Sequence, residues 1–312
     1  MTWISLALRN LLRNSRRSIT TIAAVALGYS AVNILAGFSA YMFKSIEDAN
    51  IFEQINGHVQ IWKKGARDHG GADPGKYLIS AEEFAAIKEF AGKDERILLA
   101  AGLLEVKGNI DFNGATGFFV GQAMVPEEKE AIHSRSTALR SADGSTYLGK
   151  PITRETPYGI AITTGMAENL EMEIDSNVIL MAPSINGQMN ALDAQIYQIA
   201  DVASESLNNR YIFMPLELAQ GLYDTTGVSC VRIMLEVNED TDAVTAALRA
   251  QYPESDWEII PWYEVSKLYL RTKRMFDIIF GLVFAIITTI VTMSVLNTIG
   301  MAVVERTKEI GT

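Results

Sequence analysis

The stretch VTMSVLNTIGMAVVERTKEIGT, residues 291–312, decides how this chain folds. It closes an apolar run that carries no charged side chain from residue 278 to residue 304. It then places Glu305, Arg306, Lys308 and Glu309 within five positions. A helix needs roughly 20 apolar residues to cross a bilayer core. The helix of a soluble core seldom stays uncharged for 27 residues, so residues 275–304 are expected to form a transmembrane helix. Near the start, residues 19–43 also lack any charge and are expected to form the first span.

Between the two runs the chain changes character. The formal charge of −10 over 312 residues is unevenly divided. Residues 1–43 hold four Arg and no acid, residues 271–312 hold five bases and three acids, and residues 44–270 hold 18 bases against 34 acids. An acidic middle has nothing with which to neutralise phosphates, which excludes a nucleic-acid partner. It suits a solvated domain held away from the anionic cytoplasmic face of a membrane. Arg9, Arg13, Arg16 and Arg17 precede the first run, and positive residues are retained in the cytoplasm. The N-terminus is therefore expected inside, and residues 44–270 in the periplasm or extracellular space. Arg271, Lys273 and Arg274, at the outer end of the second span, run against that rule and read as headgroup or interdomain contacts. A secretory signal has an apolar region of only about 7–15 residues, so the first run reads as an uncleaved anchor. Ahead of it, Trp3, Ala7 and Leu11 share a helical face with Ile4, Leu8 and Leu12, and the four Arg lie around the other side. Residues 1–18 thus read as an amphipathic helix resting in membrane lipid on the cytoplasmic side.

Neither span is uniformly apolar. Ala23, Ala26, Ser30, Asn33, Gly37 and Ala40 form a small and polar stripe on the first, and Gly281, Ala285, Thr288 and Thr292 form another on the second. Small residues let membrane helices approach closely, and hydroxyls or amides bond across them. Ser30, Asn33, Gly37, Gly281, Ala285, Thr288 and Thr292 are therefore expected to pack against partner helices, in this chain or in another.

Residues 44–270 mix helix and strand signals without an internal repeat, which predicts a compact α+β domain of one or two lobes. The first span is expected to continue as a stalk helix ending at Gly57. HVQIW reads as a strand. SAEEFAAIKEFAG is a helix opened by a Ser80–Glu83 capping box and closed at Gly92. DFNG supplies a turn between two strands, and VSCVRIMLEV is a buried strand that holds the single Cys230 as a small hydrophobe. The fold class is membrane α-helical plus an extracytoplasmic α+β domain.

Chemistry-bearing motifs are weak. Gly144 to Pro151, GSTYLGKP, narrowly misses the phosphate loop, because Pro151 stands where a magnesium-binding hydroxyl belongs and removes a backbone N–H. His58, His69 and His133 lack metal-ligand spacing, and His69 with Asp68 and Asp73 reads as a solvated loop. Cys230 has no evident His partner and, standing alone, forms no disulfide framework. No catalytic residue, bound cofactor or metal is expected in this chain.

At NTIGMAVVERTKEIGT the chain resembles the FtsX-like permease family of ABC transporters, which includes lipoprotein-releasing and MacB-type efflux permeases. Glu305, Arg306, Thr307, Lys308, Glu309, Ile310 and Gly311 match that family's E-R-T-[RK]-E-I-G motif at the cytoplasmic end of its second membrane helix. LALRNLLRNSRRSITTIAAVALG is similar to its interfacial helix and first span. GMAENLEMEIDSNVILMAP, ALDAQIYQIA, YIFMPLELAQGLY and VSCVRIMLEV resemble its MacB-like periplasmic core domain in order and spacing.

The resemblance implies a mechanotransmitting permease in the bacterial inner membrane. Residues 305–312 would begin the segment that docks on separate ABC ATPase subunits. Those subunits would hold the ATP and magnesium, and a second permease subunit would complete a homo- or heterodimer. A periplasmic adaptor or acceptor protein and an amphipathic cargo, such as a lipoprotein, peptide or lipid-like molecule, belong to the same picture. Glu305 and Glu309 one turn apart, interleaved with Arg306 and Lys308, offer both charge signs to a protein surface, which favours register over raw affinity. Family members carry four spans and this sequence two, so a partial chain is expected, holding the first half of a four-helix permease. The alternative from topology alone is a two-span sensor with a ligand-binding outer domain.

Overall fold

The computed structural model describes residues 15–70, 73–136, 147–201 and 206–310. The chain divides into two units, one combining Met1–Ile46 with Lys267–Thr312 and the other formed by Glu47–Ser266.

The elements of the second unit follow in chain order after a long first helix, α1 (Ser15–Asp48). They are β1 (Val59–Lys63), α2 (Ala66–His69), α3 (Pro74–Tyr77), α4 (Ala81–Ala91), β2 (Ile97–Phe112), β3 (Ala115–Met124), α5 (Pro126–His133), β4 (Leu148–Gly149) and β5 (Gly159–Thr163). Then come α6 (Thr164–Asn169), β6 (Asn177–Pro183), β7 (Met189–Ala200), β8 (Tyr211–Pro215), α7 (Leu216–Tyr223), β9 (Cys230–Leu235), α8 (Thr241–Gln251), β10 (Trp257–Pro261) and α9 (Trp262–Val265).

Two lobes share one strand. In the first, the strand order is β10-β1-β9-β2 with every neighbour antiparallel. The helix α4 joins β1 to β2 and α8 joins β9 to β10, which is the split βαβ arrangement of ferredoxin-like folds. The second lobe is inserted between β2 and β9. There β2 pairs β3, β3 pairs β8, β8 pairs β5, β5 pairs β7, β7 pairs β6 and β6 returns to β2, closing a ring of six strands. The 16-residue β2 serves both lobes: residues 97–103 pair with β9 and residues 104–112 with β3.

The sequence pattern explains each lobe. In β6 the buried residues Val178, Leu180 and Ala182 alternate with more exposed ones, the period of two that points one face into a core. Close backbone approach closes the ring at two glycines. A Cβ on Gly108 would lie 2.3 Å from the Met181 carbonyl oxygen, and one on Gly121 2.0 Å from that of Ile212. Turn chemistry sets the β2–β3 hairpin, where Asn113 (φ 52°) and Gly114 (φ 87°) both take the left-handed conformation that a two-residue type I′ turn demands. Asp111 steadies it by accepting from Gly114 N (3.3 Å) and from Thr116 Oγ1 (3.0 Å). The capping box expected on α4 is formed: Ser80 Oγ accepts from Glu83 N at 3.2 Å, and Glu83 Oε2 from Ser80 N at 2.9 Å.

The first lobe is buried on both sheet faces. Val59, Ile61, Val231 and Ile233 join the core that includes Ile87 of α4 and Val244 and Leu248 of α8. Their alternates Gln60, Trp62, Cys230, Arg232 and Met234 are each at most 5% exposed. Burial on both sides is why VSCVRIMLEV reads as a nearly continuous apolar run.

The expected stalk helix differs in detail. Regular α-helix stops at Asp48, a π-helical turn covers Ala49–Glu53 and buries Asn50 and Ile51 together. Left-handed Ile55 (φ 53°) and Gly57 (φ 65°) then carry the chain into β1.

In the other unit, α1 has 34 residues and α10 (Lys267–Ile310) has 44. At 1.5 Å per residue they are about 51 Å and about 66 Å long. Ala26–Glu53 and Tyr269–Met293 are long and apolar enough, by length and composition, to cross a membrane. The two helices meet through aromatic rings. Phe276, 5% exposed, lies 5.5 Å from Phe43 and 6.4 Å from Phe38 between centroids, and Phe43 lies 5.9 Å from Tyr269. Further along, a Cβ on Gly28 would sit 3.8 Å from Ile287. Of the interfacial helix expected over residues 1–18, residues 1–14 lie outside the described residues and 15–18 form the start of α1.

Candidate functional site

The charged segment at the end of the second span continues its helix. With no Gly or Pro between residues 301 and 310, α10 runs unbroken through Glu305, Arg306, Thr307, Lys308, Glu309 and Ile310. Positions 305 and 309, and 306 and 310, fall one helical turn apart. Gly311 lies outside the described residues.

The small-residue stripes do not meet one another within this chain. Ser30, Asn33 and Gly37 on α1, and Gly281, Ala285, Thr288 and Thr292 on α10, are all exposed. A Cβ on Gly37 or Gly281 would find nothing within 4 Å. Asn33 Nδ2 donates to the Tyr29 carbonyl at 2.8 Å, so its amide is partly satisfied on its own helix. The α1–α10 contact uses Gly28, Phe38, Phe43, Phe276 and Ile287 instead. Those residues are silent in the sequence, because an aromatic ring in an apolar span breaks no pattern.

The three histidines do not converge. His58 is 2% exposed and its Nδ1 accepts from Leu235 N at 3.1 Å. Burial, aided by the charge of Arg135, pushes its pKa down to about 4. Burial and then Lys129 do the same to His133, also to about 4. His69 lies beside Tyr77, 6.4 Å between rings. Among the described residues no three His, Cys, Asp or Glu side chains group as metal ligands. Cys230 is fully buried and burial pushes its thiol up to about 12, so it carries no thiolate at neutral pH. In the near-miss phosphate loop, residues 144–146 lie outside the described residues. Lys150 pairs with Asp175 at 2.6 Å, which commits the ammonium a phosphate would need.

One feature of the domain went unread in the sequence. A cavity of about 300 Å³ opens where the two lobes meet. Its walls include Trp62 of β1, Tyr77 of α3, Gln122 of β3, Tyr211 of β8, Tyr223 of α7 and Ser229. Tyr223 is fixed at both ends of its hydroxyl, donating to the Lys107 carbonyl and accepting from Lys107 N, each at 2.8 Å. Tyr211 OH donates to Gln122 Oε1 at 3.2 Å; burial pushes that phenol up to about 12, with the charge of Arg232 pulling the other way. Arg232 is 3% exposed, with its Cζ 5.3 Å from the centroid of the Trp62 ring. Its buried Nε and Nη1 have no hydrogen-bond partner among the described residues. No local signal marks the cavity, because its lining is drawn from segments spread between residues 62 and 229.

Residues 18–251 match the family described as the MacB-like periplasmic core domain. Among solved structures, the periplasmic region of MacB from Actinobacillus actinomycetemcomitans is similar over 66% of this chain and 89% of its own, at 8% identity and a TM-score of 0.44. The extracellular domain of the noncanonic ABC-type transporter YknZ from Gram-positive bacteria is similar over 65% of this chain and 98% of its own, at 10% identity and a TM-score of 0.42. No curated protein matches the sequence.

Proposed function

This chain belongs to the MacB-like periplasmic core domain family, and from that premise we propose that it is the permease subunit of a mechanotransmitting ABC transporter. A separate ATPase, holding ATP and magnesium, drives the cycle from the cytoplasm. The permease relays the motion to residues 44–270 outside, which extrude or release an amphipathic cargo such as a lipoprotein, peptide or lipid-like molecule. In this reading the protein sits in the bacterial inner membrane with its N-terminus inside. It works as a homo- or heterodimer of permease subunits and hands cargo to a periplasmic adaptor or acceptor.

The observation that carries the reading is the unbroken α10, which joins a membrane-length apolar segment to Glu305–Ile310 without a hinge. A continuous helix transmits displacement along its axis, and α10 stays helical through Gly300, where a break would absorb it. Residues 305–311 then grip the ATPase through alternating charges. The exposed stripes at Ser30, Asn33, Gly37, Gly281, Ala285, Thr288 and Thr292 face helices supplied by the rest of the assembly.

Reversing both Glu305 and Glu309 to Lys tests the docking role. The doubly reversed chain is expected to reach the membrane in normal amount and to recover less than a tenth of the ATPase that the unaltered chain co-purifies. Full recovery of the ATPase with the reversed chain would remove the motif from the interface.

A further inference from the structure

We propose that the two span ends that join the extracytoplasmic domain form a basic collar, Lys44 with Arg271, Lys273 and Arg274, which gathers anionic phospholipid headgroups. This stands apart from the transport reading, since lipid would collect there whether or not an ATPase docks below.

Aromatic packing brings the four bases to one level. Phe43, next to Lys44 on α1, lies 5.9 Å from Tyr269 and 5.5 Å from Phe276 between ring centroids. The three bases of α10 fall between those two rings in the sequence. Thr272 and Phe276, 8% and 5% exposed, mark the packed side of α10. Helical spacing puts Arg271 and Arg274 on the opposite side and Lys273 on the flank. All three are exposed, and so is Lys44. Residues 267–280 hold a single acid, Asp277, and among the described residues none of the four bases forms an ion pair.

The surroundings of these charges select the partner. Leu270, Met275 and Ile278 are exposed among them, at 45%, 49% and 66%. An acidic protein surface would answer the bases and leave those apolar side chains in water. A phospholipid answers both, with its acyl chains against Met275 and Ile278 and its phosphate against the bases. The depth agrees. At 1.5 Å per residue Arg274 lies about 6 Å, and Arg271 about 11 Å, along the axis from Ile278, where the uncharged run begins. Headgroups occupy roughly 5–8 Å beyond the hydrocarbon core, and long basic side chains extend towards them from flexible stems. A guanidinium matches phosphate oxygens in paired hydrogen bonds. A zwitterionic headgroup brings its own cation, so four bases against one acid favour a headgroup of net negative charge. The collar also accounts for the bases on α10 that run against the positive-inside rule.

Nitroxide quenching in lipid nanodiscs tests the assignment. The full chain carries Met275→Cys labelled with a small fluorophore, the native Cys230 being buried. The discs are phosphatidylcholine with a minority of lipid bearing a nitroxide on its acyl chain, headed by either phosphatidylglycerol or phosphatidylcholine at the same mole fraction. The phosphatidylglycerol form is expected to quench at least two-fold more strongly. With Arg271→Gln, Lys273→Gln and Arg274→Gln added, the ratio should fall close to one. Equal quenching by the two lipids, or a ratio untouched by the three Gln substitutions, would overturn the collar. An untouched ratio with loss of a co-purified acidic protein would move the bases to a protein contact. Inorganic phosphate in excess over the labelled lipid should leave the ratio unchanged, and collapse of the ratio would assign a free-anion site instead. If the three-Gln chain fails to insert, the comparison of the two lipids on the chain with its native bases decides alone.

Discussion

His58 sits under the first lobe with its Nδ1 accepting from Leu235 N and its ring edge-on to Phe52 at 5.9 Å. Protonation would turn that acceptor into a donor facing another donor. Folded His58 has a pKa of about 4, below the ordinary value of about 6.5 in an unfolded chain. As pH falls the unfolded chain takes up the proton first. The stability His58 contributes is therefore complete above pH 6.5 and is lost as pH falls towards 4. The loss amounts to at most about 3 kcal/mol at 1.36 kcal/mol per unit. His58→Asn keeps an acceptor without a titrating group. Melting curves between pH 7.5 and 4.5 should show a shallower acid loss for His58→Asn than for the unaltered chain, and parallel losses would exclude His58 as the cause. At this scale the sequence was legible where partners are neighbours. Ser80 with Glu83, and Asn113 with Gly114, announce a cap and a turn three residues or fewer apart. The stacking of Arg232 on Trp62 was not legible, because the two lie on strands far apart along the chain.

Among elements, the pairing of α1 with α10 rests on Gly28 opposite Ile287 and on the rings of Phe38, Phe43, Tyr269 and Phe276. A chain with Gly28→Cys and Ile287→Cys should close an intramolecular disulfide on mild oxidation, seen as two fragments held together after a protease cut between them. The Gly37→Cys, Gly281→Cys chain should not, since neither position has a neighbour within 4 Å. The reverse outcome would put the small-residue stripes at the contact between these helices. The existence of both long helices was plain from uncharged runs. Their contacting faces were not, because in an apolar span every face is apolar and only shape distinguishes them. The edge strand β10 shows another unannounced device: Arg249 of α8 donates to the Ile259 carbonyl through Nη2 at 2.8 Å and Nε at 3.3 Å. It occupies backbone that an outside strand would otherwise pair with.

For the whole molecule, two membrane-length helices flank an extracytoplasmic α+β domain, and the proposed orientation can be checked on intact cells. Leu148 is 70% exposed on the domain, while the native Cys230 is buried and silent. A membrane-impermeant maleimide added outside should label Leu148→Cys at once and Thr312→Cys, in the segment that follows the second span, only after permeabilisation. Labelling in the opposite order would invert the topology. The α+β class was legible from alternating strand and helix signals, but the closed ring was not. Its closure depends on β6 returning to β2 and β8 lying parallel to β3, pairings that no local pattern encodes.

The shared strand β2 has a consequence for how the domain comes into being. Leu103 pairs with Cys230, 127 positions further on, and joining ends so distant through a floppy loop costs about 4 kcal/mol of chain entropy before any contact rewards it. If the inserted ring forms first, it holds those two ends side by side and removes most of that penalty. Synthesis would then leave β1 and α4 waiting, their sheet unfinished, until the last strands of the interrupting lobe had emerged.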